Sequence, residues 1–205
     1  MRFSIERLKG GKVRLLADGE QFAIVTEGFL RDLKLKAGDE ITVEDIDSII
    51  NEKTKAAALN KAMRLITLRM HSRGELVQKL KREFDGEAAE YAADELENMG
   101  LINDAEFSSL FGEELFERKG FARARIIDEL KSRGVSSDTA RAAVEFISDE
   151  DEFKRLIVLI EDSFSANLSD EKERRRVINN LIRRGYKLYD IERALGSLQT
   201  DTEYF

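Results

Sequence analysis

The 205-residue chain has no cysteine, no proline, no tryptophan and one histidine, His71. Without cysteine there can be no disulfide framework, and thiolate redox or metal chemistry is excluded. A single histidine adds too little to build a transition-metal site, and no cofactor is expected. No run of about 18 apolar residues occurs, so nothing in the sequence spans a membrane. Met1–Arg7 lacks the apolar core of a secretory signal, and cytoplasmic residence is the economical reading.

Catalytic constellations are equally scarce. His71 stands beside Ser72, but a serine nucleophile needs a base within reach and a third group to orient it. Adjacent residues in an inter-helix turn do not promise that, and Ser72 serves better as a helix cap. Lys9-Gly-Gly-Lys12 has neither the spacing of a phosphate loop nor a helix after it. The chain is read as a non-enzyme.

What the sequence has is charge, 37% of residues, with a formal net of −7. That net averages over a segregated pattern. From Leu59 to Arg82 the charges are Lys61, Arg64, Arg69, Arg73, Lys79, Lys81 and Arg82 against Glu75 alone, whereas Glu83 to Glu114 contains no Lys or Arg. The alternation recurs: basic over Arg118–Arg133, acidic over Glu145–Glu152, basic over Lys172–Lys187. Net charge is a poor guide to partners when the signs are separated in this way.

The charge follows an internal repeat. Arg73-Gly-Glu-Leu76-Val77-Gln-Lys-Leu80 is echoed by Arg123-Ala-Arg-Ile126-Ile127-Asp-Glu-Leu130 and by Arg174-Arg-Arg-Val177-Ile178-Asn-Asn-Leu181. Apolar residues three, four and seven places after a cation share one side of a helix. Phe84, Val135 and Tyr186 occupy one turn position and Ala89, Ala140 and Ile191 another, each set spaced by 51 residues. The first copy lacks the glycine found at Gly134 and Gly185, so its turn must differ. Repeats of this length point to stacked helical units.

Read in order, residues 1–50 form a small β-rich module. An early strand around Phe3 and Ile5 is followed by Lys12–Leu16 and Gln21–Val25, which flank Asp18-Gly19, a strong hairpin signal. A short helix at Gly28–Leu33, a turn at Lys36–Asp39 and a strand around Ile41 and Val43 complete it. Residues 51–102 are the first helical repeat, with a first helix ending near His71, a Ser72–Glu75 capping box and Gly100 at a helix C-terminus. Residues 103–147 are the second, opened by Asn103-Asp-Ala-Glu106 and closed by a helix over Ala140, Ala143, Val144 and Ile147. Residues 148–198 are the third, with a polar loop at Ser165–Asp170, and 199–205 a frayed tail. The expected fold is mainly α: three tandem three-helix repeats in an elongated, curved array behind the β-rich module. Phe107, Phe111, Phe153 and Phe164 fall on apolar stripes and are read as core; Phe116 and Phe121 are less clearly placed.

Position sorts the cations. Arg82, Arg133, Arg183 and Arg184 fall in last turns of second helices, where the macrodipole favours them by roughly 0.3–1 kcal/mol. Arg73, Arg123 and Arg174 fall near helix starts, where the same interaction is adverse, so helix stability does not ask for them. Arginine's planar fork suits phosphate or carboxylate, making these the first candidates for partner contacts. Arg69, Lys79, Arg125, Lys131, Arg175 and Arg176 complete the candidate DNA- or protein-binding surface. The acidic third helices either pair with neighbouring basic helices or meet basic loops of a partner.

Leu68-Arg69-Met-His-Ser72-Arg-Gly-Glu75-Leu76, Asn103-Asp-Ala-Glu-Phe107, Glu129-Leu-Lys-Ser-Arg-Gly-Val135 and Arg183-Arg-Gly-Tyr186, in this order and spacing, resemble the bacterial regulatory RecX family across about residues 55–198. The β-rich start with Leu35-Lys-Ala-Gly-Asp39 is similar to the N-terminal extension of some members. The resemblance implies a modulator, usually an inhibitor, of the RecA recombinase, acting on the RecA–DNA filament and limiting its growth, ATPase and strand exchange. The partners implied are the filament and, more weakly, single- and double-stranded DNA, with the protein a monomer. An independent DNA-binding helical-repeat protein and a protein-interaction scaffold are the alternatives.

Overall fold

The computed structural model describes residues 3–32, 43–163 and 170–202. Compactness divides the chain into two units, Met1–Ala57 and Ala58–Phe205.

In the first unit, β1 (Phe3–Arg7), β2 (Lys12–Ala17) and β3 (Glu20–Thr26) form an antiparallel meander in the order β1-β2-β3. The Asp18-Gly19 hairpin turn has positive φ at both residues, 49° and 92°, the twist that suits a two-residue connection between right-twisted strands. Val13 and Leu15 alternate into the buried face of β2, and a register shift separates Leu15 from Leu16. Thr26 accepts the Phe29 amide at the start of α1 (Glu27–Asp32). The strand expected around Ile41 and Val43 is not formed at Val43, which instead opens α2 (Val43–Leu68). Val43, Ile46 and Ile50 recur at helical spacing, and the strong helix formers of Lys55–Leu59 carry the helix onward. Ile41 and the Lys36–Asp39 turn lie outside the described residues.

In the second unit the C-terminal part of α2 is followed by α3 (Arg73–Leu80) and α4 (Gly86–Asn98), then by α5 (Asp104–Lys119), α6 (Arg123–Ser132) and α7 (Ser137–Ala142), then by α8 (Asp149–Ser163), α9 (Glu171–Arg183) and α10 (Leu188–Thr202). Each trio closes around its own core. Leu76, Leu80 and Leu96 are buried in the first, Ile126, Leu130 and Ile147 in the second, and Leu156, Ile160 and Ile191 in the third. Phe107 and Phe116 are buried and Phe111, Phe121 and Phe153 partly so, all packed in these cores; Phe164 lies outside the described residues.

Capping chemistry starts the helices. Ser72, Asp85, Asn103, Ser136 and Asp170 each accept an orphan amide at the following helix start. The Ser72–Glu75 box is only half made, because the Glu75 carboxylate turns to Arg69. Two boundaries depart from the expectation at the C-terminal side of the repeats. The α-helix of α7 stops at Ala142, and tighter i→i+3 bonds through Val144 and Ile147 carry those side chains into the core. Gln199–Thr202, expected to fray, continue α10 as helix.

Candidate interaction surface

The repeats meet through their second helices, α3, α6 and α9. The Ser72 hydroxyl, at the start of α3, donates to the Arg133 carbonyl at the end of α6, 2.5 Å away. One repeat later the Ala122 amide, at the start of α6, donates to the Arg184 carbonyl at the end of α9, at 2.9 Å. The C-terminal end of one helix therefore abuts the N-terminal end of the one before it in sequence. Opposite ends of two helix dipoles face each other at both junctions, a favourable arrangement.

Glycine permits this approach. A Cβ on Gly74 would lie 2.6 Å from the Gly134 Cα, and one on Gly185 would lie 2.7 Å from the Arg125 Cβ. Gly134 and Gly185 also adopt left-handed backbone, φ 81° and 93°, conformations that cost a Cβ-bearing residue about 1–2 kcal/mol. The first repeat, with no following glycine, closes α3 through amides of Arg82, Glu83 and Phe84 donating to Lys79 and Leu80 carbonyls.

Carboxylates complete both junctions and explain two of the arginines. The Arg73 guanidinium lies on α4, with Nη1 3.1 Å from Glu90, Nε 3.3 Å from Glu97 and Nη2 bonded to Asp94. Its amide donates to Asp104 of the next repeat at 2.7 Å. Arg123 repeats the device. Its amide donates to Glu152 at 2.6 Å, and its guanidinium binds Glu152, Asp149 and the Ile147 carbonyl. Ala122, the α6 cap, offers no side-chain acceptor, so Glu152 supplies the missing cap from the next repeat. The absence of an internal stabilising role, argued from the dipole alone, is thus corrected for Arg73 and Arg123: neighbouring acids offset the adverse helix end. Both guanidinium groups are held more firmly protonated than usual; for Arg73 the Asp94 hydrogen bond leads, and for Arg123 burial, the largest single influence, pulls the other way but is outweighed by Asp149 and Glu152 together.

Arg174 differs. Asp170 caps α9, and Glu171 to Glu173 add a turn before Arg174, which therefore does not sit at the helix start. Its Nε is buried without a hydrogen-bond partner. Its side chain makes no ion pair among the described residues.

The other candidates separate into tied and outward groups. Arg69 clasps Glu75, with an Nη1–Oε2 distance of 3.1 Å. Lys79 bonds the ring of His71 at 2.9 Å, and Arg133 lies 4.4 Å over the Phe111 ring and 3.6 Å from Glu75. Burial pushes Glu75 up, but the Arg69 hydrogen bond and nearby cations hold it below its ordinary range. Arg184 donates to the Lys119 carbonyl at 3.0 Å. Arg82, Lys131 and Arg183 are exposed and make no ion pair among the described residues. Arg125, Arg175 and Arg176 are exposed and paired only within their own helices, to Glu129, Glu171 and Glu173; such exposed pairs contribute little and are readily exchanged.

The densest outward group is on α9. Lys172, Arg175, Arg176, Asn179 and Arg183, with Glu173 as the only acid, line one hollow of about 520 Å³. Arg183 also joins Arg125 in a second hollow, of about 410 Å³, across the junction to α6. Lys172, which opens the third basic stretch but is not among the candidate contacts, joins them at spacings of three, four, seven and eleven that mark a single helix face. Among the described residues no helix is long and apolar enough to cross a membrane.

Comparison with known proteins agrees with this architecture. Residues 58–96 match the family model of the first three-helix domain of RecX, and residues 103–144 that of its second three-helix domain. The regulatory protein RecX of Mycobacteroides abscessus is 32% identical over 183 residues, spanning 84% of this chain and 87% of that one. That of Clostridioides difficile is 24% identical over 195 residues, covering 94% and 92%. A crystal structure of regulatory protein RecX superposes with a TM-score of 0.63 at 20% identity, covering 92% of this chain and 95% of the other. RecX from Lactobacillus salivarius gives a TM-score of 0.62 at 16% identity, over 73% and 99%. With a relative of this identity matched over most of both lengths, and two of its helical trios matching the domains of one family in order, the chain belongs to the RecX family of regulatory proteins.

Proposed function

We propose that this protein is a non-enzymatic regulator that binds the RecA–DNA filament and inhibits or modulates its ATPase and strand exchange in recombination and repair, working in the cytoplasm as a monomer. Family membership supports the partner. The observation that carries the mode of binding is the end-to-end contact of α6 with α3 and of α9 with α6, which brings cations of successive repeats onto neighbouring helices. Arg82, Lys131, Arg176 and Arg183 offer side chains to phosphate or to carboxylates of a partner, whereas the Arg73 guanidinium is held by α4 of its own repeat and that of Arg123 ties its repeat to the next. Direct binding to single- and double-stranded DNA is the weaker activity of the same surface.

A RecA single-stranded-DNA-dependent ATPase assay with substoichiometric protein tests the reading. Progressive loss of hydrolysis is expected, weakened in Arg176→Ala and Arg183→Ala. No effect at several-fold excess would refute filament regulation. Neutralised phosphates release counterions, so direct DNA affinity should fall with salt by about 0.7–0.9 in log–log slope per contact.

A further inference from the structure

The turn from α9 into α10 carries an exposed aromatic ring that the helical core does not use. Tyr189, the second residue of α10, is 71% exposed, and Leu188 beside it is exposed as well. Tyr91 of α4, by contrast, is only 36% exposed. A large ring left in water at a helix start contributes almost nothing to the fold, because little apolar area leaves solvent.

Its surroundings are organised. The Arg193 guanidinium, one turn along α10, lies 3.9 Å over the Phe153 ring and 6.0 Å from the Tyr189 ring. Phe153 packs against the third core, so Arg193 rests on a fixed base. Asp190 neutralises part of that charge, at 3.6 Å from Arg193. The acids at the start of α8 are also engaged: Asp149 and Glu152 by Arg123, Glu150 by Lys154, and Asp151 by the Ser148 hydroxyl. Arg183, the last residue of α9, and Lys187, in the turn leading to Tyr189, are exposed and make no ion pair among the described residues. Besides Asp190, Glu192 is an opposing charge close by in sequence, exposed and likewise without an ion pair among the described residues.

We propose that Tyr189 is a stacking platform for an unpaired nucleobase, with Arg183 and Lys187 holding the flanking phosphates, so that the third repeat binds single-stranded nucleic acid in preference to duplex. The inference rests on the DNA-binding part of the function proposed above and extends it to one strand type and one site. Every base presents a π-face, so stacking on an exposed ring is tolerant of sequence; in a duplex that face is covered by its neighbours. Exposed cations two and six residues before an exposed ring suit a strand whose charge and bases alternate. An acidic or apolar protein segment would use the ring or the cations, but does not require both.

Fluorescence anisotropy of labelled oligo(dT) and of a duplex of equal length, titrated with the full chain, tests this. Tyr189→Ala should weaken oligo(dT) binding by about 5- to 150-fold, the range of one stacked base, and change duplex binding by less than twofold. Its salt slope should stay as in the wild type. Tyr189→Phe should retain affinity, since the hydroxyl is not used. Arg183→Ala and Lys187→Ala should each lower the single-strand salt slope by about 0.7, and Glu192→Gln should tighten binding. Wild-type affinity in Tyr189→Ala, equal loss on both nucleic acids, or no oligo(dT) binding by the wild type would each overturn the proposal. RecA ATPase inhibition measured alongside keeps the two readings apart. A Tyr189→Ala protein that loses inhibition but keeps oligo(dT) binding places the ring on a protein partner and overturns the stacking site. One that loses oligo(dT) binding and keeps inhibition supports the site.

Discussion

Gly74→Ala is the sharpest test of how the repeats are joined. Within a helix, replacing Gly by Ala ordinarily stabilises by roughly 0.5–1 kcal/mol. At Gly74 the added Cβ would meet the Gly134 Cα at 2.6 Å and the Arg133 and Gly134 carbonyl oxygens at 3.0 Å. All three are backbone atoms, so no rotamer change relieves the contact. Overpacking of this kind costs about 1–3 kcal/mol, and the net expectation is a loss of about 1–2 kcal/mol. With urea m-values of about 1–3 kcal/mol/M, the midpoint followed by helical circular dichroism should fall by about 0.5–1 M. Two further variants separate crowding from backbone strain. Gly100→Ala has positive φ, 69°, but nothing within 4 Å of its new Cβ, and should lose only about 1 kcal/mol. Gly134→Ala adds the clash with Gly74 to the same kind of strain and should lose about 2–4 kcal/mol. A Gly74→Ala protein as stable as the wild type, or a Gly134→Ala protein no worse than Gly100→Ala, would refute the end-to-end contact of α6 with α3.

The remaining expectations concern charge. Arg123→Ala should cost about 1–3 kcal/mol by urea denaturation, since it strips charge-assisted bonds from Glu152 and Asp149, while oligo(dT) affinity stays within twofold of wild type. Arg174→Ala, with no carboxylate to lose, should cost less than about 0.5 kcal/mol; equal losses in the two variants would contradict the division between them. His71 donates from Nδ1 to the Arg69 carbonyl and accepts Lys79 at Nε2, so the neutral ring fits, and burial, aided by those two cations, holds its pKa below 6.5. The unfolded chain then takes up the proton first, and stability is fully present above about pH 6.5 and declines as pH falls below it. Urea midpoints at pH 7.5 and 5.5 should differ more for the wild type than for His71→Gln, and identical differences would remove His71 as the cause. Glu75, held below 4.5, adds a second loss at more acid pH.

The chain's helical pattern shows plainly where local rules suffice. Leu76, Leu80, Ile126, Leu130, Val177 and Leu181 are buried because three- and four-residue spacing alone places them on one side of each second helix. Ser72, Asn103 and Ser136 cap helices because a side-chain oxygen beside a helix start has an orphan amide within reach. The strand expected at Val43 failed for the same local reason, since a short apolar run fits either period and only its continuation through Ile46 and Ile50 favours helix.

The arginines show where local rules end. Arg73, Arg123 and Arg174 occupy one position of a periodic motif, and no property of the motif separates them. What separates them is sequence-distant: Asp94 and Asp104 for the first, Asp149 and Glu152 for the second, and no described ion-pair partner for the third. By itself the sequence determined the helices, their apolar faces, the segregation of charge and the family, because these depend on neighbours a few residues away or on the order of motifs. Which cations became staples, which stayed outward on α9, and why Gly74, Gly134 and Gly185 had to be glycine were decided only by the tertiary structure. Carboxylates and carbonyls about 30 to 60 residues away act on those positions through space, and their reach is set by how one repeat seats on the next.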